Sequence, residues 1–395
     1  MEWLFLLLPV AAASGWWVAR HGPAARPSQG AMPDAAFLRG LNYLLDQRPD
    51  KAIDVFLRLA EVDSETVEIH LALGSLFRGR GEVERAIRIH QNLVARPGLD
   101  PAQRGFALYE LAQDYMRAGL FDRAESLLLE LAEIEPQGRR ALKALIEIYQ
   151  QERDWTNALA VGERLQRLTS RSMAAELAQY RCELAEEALR SGDVQRAGDQ
   201  LEAAQNVYPQ CVRALILQAR IEMGQGEPAA ALGLCRRVAE QGPGFIPDVV
   251  PQYLEALSGT AGADVRAELE RLYEVQPSPA LVLALADVIE GDEGAGAALA
   301  LLSRHLQQHA DLAALGRFLE IQAGVGTAGA ELETVRRVVR RLHDAEDAYR
   351  CDHCGYVARR LNWQCPSCKH WGTIKATHPV PMVSAPETDP PGAGP

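Results

Sequence analysis

Most of the chain has the apolar pattern of amphipathic helices that recur in pairs. The segment 122–136, DRAESLLLELAEIEP, places apolar residues at i, i+3, i+4 and i+7, which predicts a helix with one buried face. Residues 3–19 differ because they are apolar on every side, and the chain after residue 375 has no apolar period. The pattern therefore predicts a helical body between two termini of different character.

The predicted helices repeat with a period of 34 to 39 residues. An alanine recurs after a short turn in each unit, at Ala52, Ala86, Ala124, Ala158, Ala197 and Ala231. Successive alanines are 34, 38, 34, 39 and 34 residues apart. Twelve residues before each lies a second repeated position, small in five of six cases, occupied by Gly40, Gly74, Ala112, Ile146, Ala185 and Ala219. Small residues at these positions let two helices approach closely.

Glycine and proline divide each repeating unit. The turn between paired helices carries a glycine five residues before the repeated alanine, at Gly119, Gly192 and Gly226, and proline follows the second helix at Pro136, Pro209 and Pro243. The unit 244–277 has neither the alanine in register nor the turn glycine, so the register is expected to weaken there. An irregular helical domain is the alternative, but it would not repeat these offsets.

This unit resembles the tetratricopeptide repeat over residues 34–310. We predict an all-α fold, in which residues 34–330 form a tetratricopeptide-repeat superhelix. Stacked helix pairs of this kind share one core and enclose a concave groove that binds peptides or helices of other proteins. The resemblance therefore favours a binding protein.

The first twenty residues predict a transmembrane anchor. Residues 3–19 carry no charge, and seventeen helical residues span about 26 Å, near the lower limit for a bilayer. Tryptophans flank the run at positions suited to an interfacial belt: Trp3, Trp16 and Trp17. Arginines follow the run and none precedes it, which places the bulk of the chain in the cytoplasm by the positive-inside rule.

A cleaved signal peptide is the alternative interpretation of this segment, and the alanines at 11–13 resemble a cleavage site. A signal peptide, however, needs a basic residue before its apolar run, where Glu2 stands here. Residues 21–33 are rich in proline, glycine and alanine and predict a linker.

Four of the seven cysteines lie within eighteen residues near the C-terminus. They form two Cys-x-x-Cys pairs separated by ten residues: Cys351, Cys354, Cys365 and Cys368. Two such knuckles close a tetrahedral four-sulfur site, so we predict one bound Zn²⁺ or iron ion, which the spacing does not distinguish. The ion would be structural because no coordination position remains for a water. Redox-active disulfides are the alternative.

The residues around these cysteines suggest supporting roles. Gly355 and Pro366 are expected to shape the two knuckles. Three aromatic residues are expected to cover the module: Tyr356, Trp363 and Trp371. His353 and His370 are candidate substitute ligands, but four cysteines already complete the shell. The short joint before Cys351 suggests that the module packs against the last helices.

Other motifs exclude functions more than they suggest them. The net charge of −12 argues against nucleic acid as a partner. Glycines at 324, 326 and 329 match the dinucleotide fingerprint by letters, but a helical context replaces the strand it requires. His305 and His309 lack the intervening glutamate of a zinc protease and are expected on the surface or in repeat packing. The remaining cysteines, Cys182, Cys211 and Cys235, are expected to be buried and reduced.

A basic cluster lies on the predicted connecting helix, residues 331–349, that leads into the first knuckle: Arg336, Arg337, Arg340 and Arg341. We expect it to contact anionic lipid or an acidic partner. The alternative is a solvated face whose charge the neighbouring acidic residues offset.

The order of parts resembles the lipopolysaccharide assembly protein B family over nearly the whole chain. These parts are the anchor, the repeats, a rubredoxin-like module at residues 350–375 and a disordered Pro-rich tail at 376–395. The four metal cysteines of that family fall on Cys351, Cys354, Cys365 and Cys368.

The resemblance implies a single-pass protein of the bacterial inner membrane that is not an enzyme. Such a scaffold would organise lipopolysaccharide assembly proteins. It would also present the deacetylase of the lipid A pathway to the membrane protease FtsH, and so regulate lipopolysaccharide synthesis. Two alternatives remain open from the residues themselves: a general chaperone adaptor for exported proteins, and an iron-based redox protein.

Overall fold

The computed structural model describes residues 35–62, 66–134, 136–170, 172–325, 330–346, 348–377 and 380–381. Within these residues the chain is mostly helical, as the apolar pattern predicts. The predicted anchor (1–20) and linker (21–33) lie outside the described residues. No helix among the described residues is long and apolar enough to cross a membrane. The chain divides into two units, residues 1–141 and 142–395.

The described residues of the first unit form three consecutive helix pairs. Its helices are α1 (Ala35–Leu45), α2 (Pro49–Val62), α3 (Val67–Gly79), α4 (Val83–Val94), α5 (Pro101–Arg117) and α6 (Phe121–Ala132). The repeated alanines Ala52, Ala86 and Ala124 are fully buried. The glycines twelve residues earlier are required by a larger side chain opposite: a Cβ on Gly40 would lie 2.7 Å from the Phe56 ring.

A buried polar cluster links α3, α4 and α5. His90 is fully buried, and its Nδ1 lies 2.5 Å from Asp114 Oδ2. Arg78 donates to the same carboxylate at 2.7 Å and to Glu110 at 2.6 Å. A Cβ on Gly74 would lie 2.3 Å from His90 Nε2, so the small residue at this position makes room for the histidine. The apolar period predicts the three helices but not this cluster.

The second unit continues the pairing. Helix α7 (Gly138–Glu152) spans the boundary between the units and is followed by α8 (Trp155–Leu168), α9 (Ala174–Arg190), α10 (Val194–Val207), α11 (Val212–Gln225), α12 (Pro228–Gln241), α13 (Ile246–Gly259), α14 (Val265–Val275), α15 (Pro279–Glu293), α16 (Ala295–Gln308), α17 (Leu312–Val325) and α18 (Ala330–Ala345). A short 3₁₀ helix, Pro243–Phe245, precedes α13. Ala158, Ala197, Ala231 and Ala298 are again fully buried.

The turn position between paired helices adopts a positive φ even where it is not glycine. Gly119, Gly192 and Gly226 have φ of 75°, 81° and 81°. Gln47 and Arg153 occupy the same position, five residues before the repeated alanine, with φ of 56° and 60°. The backbone of the turn therefore recurs where the sequence signal does not.

The turn of the 244–277 unit was expected to lack a glycine, but it contains one. Gly262 lies between α13 and α14 with φ of 77°, in a connection of five residues where the earlier pairs have two or three. Glu268 stands four residues after the N-cap Asp264, the position held elsewhere by the repeated alanine. Tyr253, Arg236 and Arg271 bind its carboxylate, so a charged residue is accommodated at the packing position.

The predicted packing role of His305 agrees with its burial, and the His309 ring lies beside it with the two centroids 4.8 Å apart. His305 is 1% exposed. Its Nδ1 is hydrogen-bonded to Tyr273 Oη at 2.7 Å, and its Nε2 lies 3.0 Å from Asp311 Oδ2. His309 leaves helix α16 and begins a strand. Gly324 lies in the last turn of α17, while residues 326–329 lie outside the described residues.

Small strands follow the helices. Strand β2 (Tyr349–Cys351) pairs antiparallel with β3 (Val357–Ala358) and β4 (Ile374–Ala376). Strand β1 (His309–Ala310) pairs with β5 (Val380–Pro381), and β5 lies within the segment 376–395 that was predicted as a disordered tail. Helix α18 packs against α17, which makes it the second member of a helix pair as well as the connection to β2.

Candidate metal centre

The two Cys-x-x-Cys segments form knuckles of matching geometry. In the first, Gly355 has φ of 76° and donates its N–H to the Cys351 carbonyl at 2.9 Å. In the second, Lys369 has φ of 62° and donates its N–H to the Cys365 carbonyl at 2.9 Å. Sequence reasoning identified Gly355 but missed Lys369, because a lysine gives no signal for a left-handed backbone.

The knuckles bring the four sulfurs to the spacing of a tetrahedral metal site. Sγ atoms of Cys351 and Cys368 lie 3.8 Å apart, and those of Cys354 and Cys365 lie 3.7 Å apart. All four sulfurs lie within 4.8 Å of one another. Four sulfurs at ~2.3 Å from one tetrahedral ion would lie ~3.8 Å apart, so the four side chains fit Zn²⁺ or a single iron without rearrangement.

Hydrogen bonding prepares one cysteine for ionisation. Burial opposes the charged form of Cys351, but bonds with the Thr373 hydroxyl and with the amides of Cys354 and His353 outweigh it and lower its pKa to about 6. Burial and the neighbouring thiols raise the pKa of Cys368 to about 12. Four thiolates cannot coexist here without a cation, so metal binding must displace the last protons.

Trp371 of the module packs on the repeat helices. Its ring meets Trp155 of α8 at 5.8 Å and Tyr180 of α9 at 6.0 Å, both edge to face. Trp155 and Tyr180 are 5% and 1% exposed. Beside them, Gln364 donates to Gln150 of α7 at 2.6 Å.

Trp363 makes a second contact with the helices. Its ring stacks on Phe245 at 5.2 Å, and the Arg213 guanidinium lies 5.5 Å from its centroid. Arg213 is 2% exposed and its charge is balanced by Glu183 and Glu186, each at 2.9 Å. A buried cation with two carboxylates and an aromatic face is thereby fixed under the module.

These contacts correct two expectations about the module. Trp363 and Trp371 pack on helices rather than covering the module alone, and Tyr356 is 38% exposed. The module was expected to pack against the last helices, yet its aromatic contacts are with α8, α9 and the 3₁₀ turn, and Tyr349 donates to Asp248 of α13 at 2.7 Å. The reason is that a solenoid folds distant repeats toward the same surface, which the short joint before Cys351 does not reveal.

The basic cluster on α18 is divided into paired and unpaired members. Arg336 pairs with Glu333 at 3.0 Å and Arg340 with Glu320 at 3.1 Å. Within the described part of the chain, no carboxylate forms an ion pair with Arg337 or Arg341. Beside these two arginines runs an exposed apolar stripe, each side chain about half exposed: Val335, Val338 and Leu342.

The three cysteines outside the module are buried, as their helical context suggests. Cys182 and Cys235 are fully buried and Cys211 is 1% exposed. All three are reduced, although the Sγ atoms of Cys182 and Cys211 lie only 3.7 Å apart. Sequence reasoning did not anticipate that contact because the two residues lie in different helix pairs.

Comparison with known proteins agrees with both parts of the architecture. The family described as "Rubredoxin metal binding domain" matches residues 349–376. The family described as "Tetratricopeptide repeat" matches residues 37–101, 109–172 and 182–244. "Lipopolysaccharide assembly protein B" of Escherichia coli K12 is 37% identical over 385 residues, covering 95% of this chain and 98% of that protein. The chain belongs to the lipopolysaccharide assembly protein B family.

A second relative extends the same result. "Lipopolysaccharide assembly protein B" of Haemophilus influenzae is 34% identical over 390 residues, with 95% and 98% of the two chains covered. Among solved structures, the C-terminal part of a tetratricopeptide-repeat protein from Cytophaga hutchinsonii aligns with a TM-score of 0.41 and 10% identity, over 64% of this chain and 94% of that one. Family membership therefore rests on the two full-length relatives.

Proposed function

We propose that this protein is a membrane-anchored cytoplasmic scaffold that regulates lipopolysaccharide biosynthesis by binding proteins. The observation that carries the proposal is the match with the two relatives, which covers 95% of this chain and 98% of each relative and so takes in more than the repeats. A match confined to the repeats would support only protein binding, because tetratricopeptide repeats serve many functions.

The scaffold acts by binding partner proteins, and the metal module packed on the helices forms part of the binding surface. Between module and helices lies a cleft of about 420 Å³, lined by residues of α7, α9 and the second knuckle that include Glu147, Tyr180 and Cys368. A partner segment that enters it would contact repeat and module together.

The partners proposed are the lipid A pathway deacetylase and the FtsH protease, together with lipopolysaccharide assembly proteins. One chain that binds both deacetylase and protease raises the effective concentration of the substrate at the protease without making or breaking a bond itself. Control of the deacetylase by degradation would then set the amount of lipopolysaccharide that is made.

Attachment to the inner membrane is proposed through residues 1–20, whose uncharged run has the length and flanking tryptophans of a single span. A second contact is proposed through α18, where Arg337 and Arg341 lie beside the exposed stripe of Val335, Val338 and Leu342. Free basic groups next to apolar side chains suit an anionic lipid surface.

The metal ion is proposed to be structural, with all four ligands supplied by cysteine. Its role would be to fix the two knuckles so that Trp363 and Trp371 present their rings to the helices. Iron and zinc are distinguished by colour, since a four-thiolate iron site absorbs visible light and zinc does not. An iron site that changes oxidation state during partner binding would favour the redox alternative.

The test is a cross-linked purification of the full-length protein from intact bacterial membranes, analysed by mass spectrometry. We expect the deacetylase and the FtsH protease to be enriched over a mock purification. A parallel purification of the Cys351→Ser/Cys354→Ser variant should recover less of both if the module shapes the surface. Recovery of diverse exported proteins instead would favour the chaperone alternative and contradict the proposal.

A further inference from the structure

Two histidines lie together beside the metal site. His353 stands inside the first knuckle, and His370 follows the second by two residues. Their ring centroids are 3.8 Å apart with an interplanar angle of 30°. Both side chains are exposed, so neither ring is held there by burial in a core.

The hydrogen bonding of His370 fixes a metal-binding tautomer. Its Nδ1 lies 3.0 Å from the carbonyl oxygen of Cys368. A carbonyl oxygen only accepts, so Nδ1 carries the proton and Nε2 keeps a free lone pair. A histidine that donates one ring N–H to a backbone carbonyl is the usual arrangement of a metal-binding histidine.

A third donor completes the set. One ligand atom each from His353, His370 and Cys368 lie within 4.8 Å of one another. Nitrogen at ~2.1 Å and sulfur at ~2.3 Å from a tetrahedral ion would lie about 3.4 to 3.6 Å apart, so the ligand atoms must approach one another by roughly 1 Å. The two stacked rings must also turn about their side-chain bonds until both lone pairs point at the ion, which their exposure permits. Imidazole and thiolate donors suit Zn²⁺ and similar divalent ions.

Burial differs sharply among the four cysteines. Cys351 is 1% exposed and Cys365 is fully buried, whereas Cys354 is exposed and Cys368 is half-buried. An ion from solvent therefore reaches the four-sulfur site on the side of Cys354 and Cys368. The two histidines lie on that side and share Cys368 with the inner site.

We propose that His353, Cys368 and His370 form an outer site that captures a divalent transition-metal ion and passes it to the four-cysteine site. The ion exchanges two imidazole nitrogens for the sulfurs of Cys351, Cys354 and Cys365 while it stays bound to Cys368. Each thiol that binds the ion releases its proton to solvent, whereas both imidazoles bind and release the ion as neutral groups. The same route in reverse releases the ion.

The test uses the full-length protein and its His353→Gln/His370→Gln variant. Loading is followed by stopped-flow absorbance after Co²⁺ is added to metal-free protein, and release is followed by transfer of Zn²⁺ from loaded protein to a chromogenic chelator. We expect both rate constants to fall severalfold, because the double variant removes two of the three ligands of the outer site. The affinity should stay unchanged, because a transit site accelerates both directions equally.

The matched control is His343→Gln, which removes an exposed imidazole of α18 that belongs to neither group of metal-ligating residues and should alter neither rate. The release arm starts from loaded, folded protein, so it remains informative if the metal-free variant does not fold. Unchanged rates in the double variant would overturn the proposal. So would faster release with weaker binding, which indicates a purely structural pair, or two ions bound per chain at saturation.

Discussion

Removal of the Trp371 indole measures how strongly the module is held on the helices. The ring makes edge-to-face contacts with Trp155 and Tyr180 at 5.8 and 6.0 Å. Each aromatic contact contributes about 0.5–1.5 kcal/mol beyond its buried area, so Trp371→Ala should weaken docking by roughly 1–3 kcal/mol. This corresponds to about a 5- to 150-fold rise in the population in which the module is detached.

The assay is native-state hydrogen exchange of residues 349–376 read by mass spectrometry, together with metal content. We expect faster exchange at the outer strands of the module while one metal ion stays bound, because no cysteine is changed. Tyr356→Ala, which removes an exposed ring from the same module, should leave exchange near wild type. Unchanged protection in Trp371→Ala, or loss of the ion, would refute the reasoning about docking.

Other substitutions test the fold and its charges. Gly74→Ala places a methyl group against the buried His90 ring and should lower the free energy of unfolding, measured by denaturant titration, by about 1–3 kcal/mol. At Gly79 an added methyl group meets open space, so Gly79→Ala should not lower it. Equal effects of the two substitutions would contradict the packing. Burial opposes the charge on Glu268, but hydrogen bonds from two arginines and a tyrosine lower its pKa to about 2. The ionised carboxylate therefore contributes fully to the stability of the folded state above pH ~4.3, and this stability is lost as the pH falls toward 2. Wild-type melting temperature should therefore fall over that range relative to Glu268→Gln, and parallel curves would exclude the effect. Replacing Arg337 and Arg341 by glutamate should speed hydrogen exchange of α18 in nanodiscs of anionic lipid but not in nanodiscs of neutral lipid. The expected loss of binding free energy to the anionic surface is about 1 kcal/mol per arginine. Exchange that does not depend on the lipid would exclude a membrane contact.

The sequence predicts the parts of this protein whose contacts are local. The repeated alanines and turn glycines report packing between neighbouring helices, and each lies within one repeat of its partner. The 244–277 unit escapes the pattern because Glu268 replaces the alanine and five residues, rather than two or three, connect its helices. The charged residue at this packing position is bound by Arg271 of the same helix and by Arg236 and Tyr253, which come from other helices.

The metal cysteines are likewise predicted from spacing, since each knuckle is closed by hydrogen bonds within five residues. The position of the module on the helices is not predicted, because it depends on pairs that are distant in the chain. Gln364 and Gln150 are separated by 214 positions, and Tyr349 and Asp248 by 101. No periodicity or motif encodes such a pairing in a single sequence, and the buried Arg213 under Trp363 was missed for the same reason.

The most direct measurement of the scaffold function is degradation of the lipid A pathway deacetylase by FtsH in reconstituted membranes, with and without this protein. We expect degradation of the deacetylase to accelerate when the full-length protein is present. A large excess of the protein should slow degradation again, because separate copies then bind the two partners. Degradation of an unrelated FtsH substrate should not change. Turnover that does not depend on this protein, or equal acceleration of the unrelated substrate, would contradict the proposal that it brings these two proteins together.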